Sequence, residues 1–184
     1  LSKLYVNELA PKTAGNKILM PQGGFIQHQY TMFTGTNSIT CTTGADIVLT
    51  DLTVNITPQS TNSVIKLEGM VNGEFDTTSH YNSTVFFFRD TTKLAHQTAG
   101  NRNVGVSSFF PSYYAADANS TQEGTGTFQY YDQPNTTDTI TYKIGVNAQV
   151  NGNPVFYLNR TVDDGNDTGK ERFISLISAT EIAG

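Results

Sequence analysis

The sequence predicts an all-β protein: a single antiparallel β-sandwich or jelly roll of about eight to nine strands, preceded by an extended N-terminal arm. Three observations predict it. Apolar and polar residues alternate over short runs, and clusters of Gly, Pro, Asn and Asp separate the runs, as strands and turns require. No segment carries the i, i+3, i+4, i+7 apolar spacing of a helix over three turns. Charged residues make up only 15% of the 184, against roughly 25% in an ordinary domain. Thr, Asn, Ser and Gln supply the missing polarity, Thr favouring strands and Asn favouring turns.

The first segment, 1–22, reads as the arm. It carries Pro11 and Pro21, a Thr13-Ala14-Gly15-Asn16 turn signal and two short apolar groups, Leu4-Tyr5-Val6 and Ile18-Leu19-Met20. Those groups are too few for a core of their own. The arm is expected to pack on another chain, through Leu4, Tyr5, Val6, Ile18, Leu19 and Met20. Gly23-Gly24 separates it from the sandwich, 23–184.

Strand signals then repeat. The first covers 25–34. The second, 45–57, changes phase: Ile47 and Leu49 share one parity, while Leu52, Val54 and Ile56 share the other. One strand keeps a single parity on each face, so a bulge or break is expected near Thr50-Asp51. Segment 63–75 alternates, with Ile65, Leu67 and Val71 opposite Lys66 and Glu68. Segment 84–89 is apolar on both faces through Val85, Phe86, Phe87 and Phe88, as a strand facing a partner chain or lying between two layers would be. Phe86, Phe87 and Phe88 are therefore a candidate subunit interface.

Segment 101–119 holds Phe109-Phe110-Pro111-Ser112-Tyr113-Tyr114 and reads as an aromatic loop. Phe109, Phe110, Tyr113 and Tyr114 form the candidate receptor contact, since rings with polar tips suit recognition surfaces. The alternative is that the loop closes the open end of the sandwich. Strands follow at 125–131 and at 139–150, where Ile140, Tyr142, Ile144, Val146, Ala148 and Val150 alternate cleanly. Asn151-Gly152 is a hairpin signal. Strands at 155–160 and 172–182 complete the count.

Chemistry-bearing motifs are scarce. His28, His80 and His96 lack a metal-binding spacing, and no G-x-S-x-G elbow is present. No catalytic residue, metal ligand or cofactor is expected. Asp163, Asp164, Asn166 and Asp167 offer oxygen ligands for Ca²⁺, but the spacing departs from an EF-hand and lacks its closing Glu. A plain acidic turn is the simpler reading. The lone Cys41 is expected to be a buried, inert thiol. The net charge of −5 argues against a basic nucleic-acid surface. No apolar run approaches the roughly 20 residues of a membrane span. Leu1-Ser2-Lys3-Leu4-Tyr5 shows no signal-peptide pattern. Without an initial Met, processing or a start further upstream remains open.

Several segments, taken in order, carry a family resemblance. They are Asn55-Ile56-Thr57-Pro58-Gln59-Ser60-Thr61-Asn62-Ser63-Val64-Ile65, Phe87-Phe88-Arg89-Asp90, Tyr131-Asp132-Gln133-Pro134, Thr139-Ile140-Thr141-Tyr142-Lys143, Phe156-Tyr157-Leu158-Asn159-Arg160 and the stretch from Glu171-Arg172-Phe173 to Ile182. Together they resemble a family of small tail-fibre-like structural domains of tailed phages, especially cyanophages. The resemblance covers 25–184, and the lead-in Lys3-Leu4-Tyr5-Val6-Asn7-Glu8-Leu9 is similar too. It implies a non-enzymatic β-sandwich, trimeric about a three-fold axis, on the exterior of the virion at the tail or the capsid. The implied partners are two further copies, other virion proteins through the arm, and a host surface glycan or outer-membrane protein. The role expected first is a tail-fibre or tail-associated module that contacts the host. Capsid decoration, or a head fibre, is the alternative, and a glycan depolymerase is a more distant one.

Overall fold

A computed structural model describes residues 22–76, 82–109, 122–149 and 152–184. These residues contain twelve strands and no helix: β1 (Phe25–Phe33), β2 (Asn37–Thr40), β3 (Ile47–Ile56), β4 (Val64–Met70), β5 (Asn72–Phe75), β6 (Ser83–Arg89), β7 (Thr92–Leu94), β8 (Glu123–Gly124), β9 (Phe128–Asp132), β10 (Ile140–Ala148), β11 (Val155–Leu158) and β12 (Ser175–Ile182). Every ladder is antiparallel. Hydrogen bonding groups the strands as β1-β12-β4-β9, β2-β11-β5-β8 and β3-β10-β6-β7.

The first two groups are halves of one broken sheet. β1 leads into β2, β4 into β5 and β8 into β9, with one to three residues between. β11 and β12 flank the same line, and each composite strand keeps its neighbours across the break. Counted this way there are eight strands. The broken sheet has order 1-8-3-6 and the other 2-7-4-5. That pairing of two four-stranded antiparallel sheets is a jelly roll, and it bears out the expected all-β sandwich.

Buried side chains replace the missing ladder bonds along the break, because buried backbone groups need partners. Asn159 Nδ2 donates to Phe33 O at 2.8 Å and to Gly35 O at 3.0 Å. Ser175 Oγ donates to Asn159 Oδ1 at 2.7 Å and accepts from Asn72 N at 3.0 Å. Thr125 Oγ1 accepts from Val71 N at 2.9 Å. Asn159 holds φ at 59°, a left-handed conformation that Asn tolerates better than most residues. Asn159, Ser175 and Thr125 are all buried.

The core lies between the two sheets. Leu49, Leu52, Val54 and Ile56 of β3 and Ile140, Tyr142, Ile144 and Val146 of β10 meet Ile65, Leu67, Ile177 and Ala179 of the broken sheet. Phe87 of β6 packs on Phe128 of β9 with ring centroids 4.9 Å apart. Phe156 fills the far half, 4.9 Å from Phe75 and 5.2 Å from Phe109. The phase change in β3 is a register shift: Lys143 faces Thr53 while Ile144 faces Leu49. Thr50, Asp51 and Leu52 bulge out of the ladder, where the sequence places the irregularity.

Several element boundaries differ from expectation. Segment 63–75 is two strands, because the break falls at Val71 while the alternation runs straight through it. Segment 125–131 begins as a strand only at Phe128, since Thr125-Gly126-Thr127 lies on the same break. Segment 172–182 begins as a strand at Ser175. Asn151-Gly152 does not join a paired hairpin: β10 pairs with β3 and β6, and β11 with β2 and β5, so this connection crosses between sheets.

Cys41 is fully buried in the core. Burial pushes its thiol up to about 11, against a smaller opposing pull from the Phe156 backbone. The expected result is slow labelling by a disulfide reagent at pH 8 in the folded chain. Labelling in guanidinium should be on the order of a hundredfold faster, since the thiolate is the reactive form. Equal rates would contradict the burial.

Candidate functional site

Four aromatic residues that the sequence offers as contacts are buried within the chain. Val85 and Phe87 face the core, while Phe86 and Phe88 lie on the outer side of β6 and are nonetheless buried by their own chain. Gly145, opposite Phe86, leaves room for both rings; a Cβ there would sit 2.5 Å from Phe86 and 2.6 Å from Phe88. Lys93 Nζ lies 3.8 Å above the Phe86 ring and pairs with Asp46 at 2.8 Å. The expectation that Phe86, Phe87 and Phe88 form a subunit interface is therefore corrected: intramolecular packing accounts for their apolar character. Phe109 is 1% exposed and completes the core beside Phe75 and Phe156, so it is not a receptor contact. Phe110, Tyr113 and Tyr114 lie outside the described residues, as do Leu4, Tyr5, Val6, Ile18, Leu19 and Met20 of the arm.

Buried polar groups serve the fold. Arg89 Nη1 donates to both carboxylate oxygens of Asp132, at 3.0 and 3.1 Å, and Tyr142 OH donates to Asp132 Oδ2 at 2.7 Å. This cluster ties β6 and β10 of one sheet to β9 of the other. Burial first, then the Asp132 carboxylate, raises the Tyr142 pKa far above 10.0. The sign follows: above pH 10 the unfolded chain loses this proton while the folded chain keeps it. Stability contributed by the phenol is present below pH 10 and falls as pH rises beyond it. Tyr142→Phe should flatten the loss of stability between pH 10 and 11.5 in urea titrations; an unchanged slope would contradict the assignment.

Glu181, also buried, accepts from Gln59 N and Ser63 Oγ through Oε1, both at 2.6 Å, and from Gln27 Nε2 through Oε2 at 2.6 Å. In the acidic loop, Asp163 pairs with Lys170 at 3.0 Å, and Asp164 pairs with Arg160 at 3.5 Å and with Arg172. Lys170, by hydrogen bond and then by charge, holds the Asp163 carboxyl below its usual range. These carboxylates serve as ion-pair partners. No group of three or more metal-ligating side chains occurs among the described residues.

What remains open is the outer face of β1-β12-β4-β9. Cross-strand register builds it in rows: His28, Thr180, Lys66 and Tyr131; Tyr30, Ser178, Glu68 and Gln129; Met32, Leu176 and Met70. A bulge at Ile26 brings Phe25 opposite Ile182 and onto this same face. Phe25 is 67% exposed, Tyr30 68%, Met32 52% and Tyr131 58%. The other exposed large apolar residues among those described, Phe173 and Ile174, lead directly into β12. Polar contacts order the middle of the face. His28 Nδ1 is 2.7 Å from Thr180 Oγ1, Lys66 Nζ is 2.9 Å from Glu68 Oε1, and Gln129 Nε2 donates to the same oxygen at 3.2 Å. Two shallow depressions, of about 400 and 340 Å³, lie on either side of His28 and Glu68. Exposed large apolar side chains collected on one face mark a candidate interaction surface.

Sequence reasoning did not single out this face. Its signal is the inverted alternation of β1. His28, Tyr30 and Met32 point outward, while Gln27 and Thr31 reach across to Thr57 O at 2.7 Å and Thr53 O at 2.6 Å. No protein-family model matches the chain, and no curated protein matches it significantly.

Proposed function

We propose that this protein is a structural component of a bacteriophage virion, a homotrimeric tail-fibre or tail-associated module that contacts the host surface. It acts by assembly and display. The observation that carries this reading is the exposed apolar face of β1-β12-β4-β9 on a jelly roll whose other large apolar residues, among those described and Phe173 and Ile174 apart, are packed within the chain. Jelly rolls serve viral capsids and lectins among other roles, so the architecture is compatible with the reading without dictating it. The ordered resemblance to tail-fibre-like domains supports the phage context. A surface polar through Thr, Asn and Gln rather than through charge offers many hydrogen bonds to a glycan or an outer-membrane protein. Three weak contacts on one trimer would raise apparent affinity through effective concentration.

Immunogold labelling of purified particles with an antibody to this chain tests the role. Label on the tail or its fibres is the expected result. Label over the head would transfer the protein to capsid decoration. Label on neither, with an antibody that recognises disrupted particles, would overturn the virion-exterior reading.

A further inference from the structure

We propose that the outer face of β1-β12-β4-β9 seats residues 4–20 of a neighbouring copy, and that arms exchanged in this way hold the homotrimer together. The proposal rests on the homotrimer reading above and names the surface and the segment that make it.

Three observations converge on this occupant. First, the segment enters at the rim of the face. Gly23 N donates to Ala183 O at 2.7 Å, and Ala183 N donates to Gly24 O at 2.9 Å. These bonds fix the entry beside Phe25, the first outward residue of β1. Second, the two parts of the chain carry opposite net charge. Residues 1–22 carry three lysines and one glutamate, whereas residues 23–184 carry eight basic and fifteen acidic side chains. On the face itself Glu68 pairs with Lys66 at 2.9 Å. Third, the apolar groups and the reach fit. At full extension 17 residues reach at most about 55 Å, nearly twice the roughly 30 Å length of a nine-residue strand such as β1. A segment of that length, entering beside Phe25, exceeds what the face of its own chain can seat. The equivalent face of a second copy offers exposed Tyr30 and Met32 to the apolar group Leu4-Tyr5-Val6.

Two variants of the full chain test the exchange by light scattering after size exclusion. Leu4→Asp with Val6→Asp spoils the arm and leaves the face intact. Tyr30→Glu with Met32→Glu spoils the face and leaves the arm intact. The wild-type chain should show about three times the 20.1 kDa of one copy. Each variant alone should fall threefold to the single-copy mass while keeping the wild-type circular dichroism. Mixed together, the two should form a two-chain species, because the intact arm of one fits the intact face of the other. If the glutamates disturb folding, Tyr30→Ser with Met32→Ser gives the same readout. A wild-type trimer whose variants all remain trimeric would overturn the exchange and leave the trimer standing. Single-copy variants that fail to combine would overturn the pairing of arm with face. A single-copy wild type would overturn both readings.

Discussion

Replacing Asn159 by alanine is expected to lower the unfolding free energy by about 3 kcal/mol or more, since it leaves several buried polar groups unpaired. Phe33 O and Gly35 O lose the donor that Asn159 Nδ2 provides, and Ser175 Oγ loses its acceptor. All of this lies where the sheet is broken and no ladder bond can substitute. Urea unfolding measures the loss. Asn135→Ala is the control, because Asn135 shares the left-handed φ, 55° against 59°, but is exposed and donates only to Gln133 O. The control should cost no more than about 2 kcal/mol, the upper end of the backbone penalty for this conformation. Equal losses in the two variants would mean that the stitch along the break contributes nothing beyond backbone conformation.

Phe87→Ala should cost about 3–5 kcal/mol, as for other large-to-small changes in a packed core. For a chain of this size that corresponds to a melting temperature lower by roughly 10 °C. Phe87 is fully buried and stacks on Phe128 from the opposite sheet, so its removal opens a cavity between the layers. The result also decides between core and interface. A core residue lowers stability at every protein concentration and leaves the assembled mass unchanged. If Phe87 were a subunit contact, its removal would reduce the mass while the individual chain kept its melting temperature.

The sequence carries clear signals where one physical constraint dominates. In β10, Ile140, Tyr142, Ile144, Val146 and Ala148 alternate because one face is buried along the whole strand, and all five are buried. The phase change of β3 is equally legible, since Leu49 and Leu52 can share the core only if the backbone bulges between them. The break in the sheet leaves no such mark. Leu67, Val71 and Phe75 keep one parity across it, and its stabilising groups, Asn72, Thr125, Asn159 and Ser175, look like ordinary turn and strand residues. β1 misleads for a different reason: its polar residues bond across to the neighbouring sheet and its apolar residues face outward. The Phe86-Phe87-Phe88 strand misleads because a lysine stem and ammonium cover an outward ring as effectively as a partner chain would.

The homotrimer proposed above is an assembly of three copies rather than a solitary domain. The mass of the full-length protein in solution, by light scattering across micromolar concentrations, tests it most directly. The account predicts one species at about three times 20.1 kDa. A single species at 20.1 kDa over that whole range would contradict it.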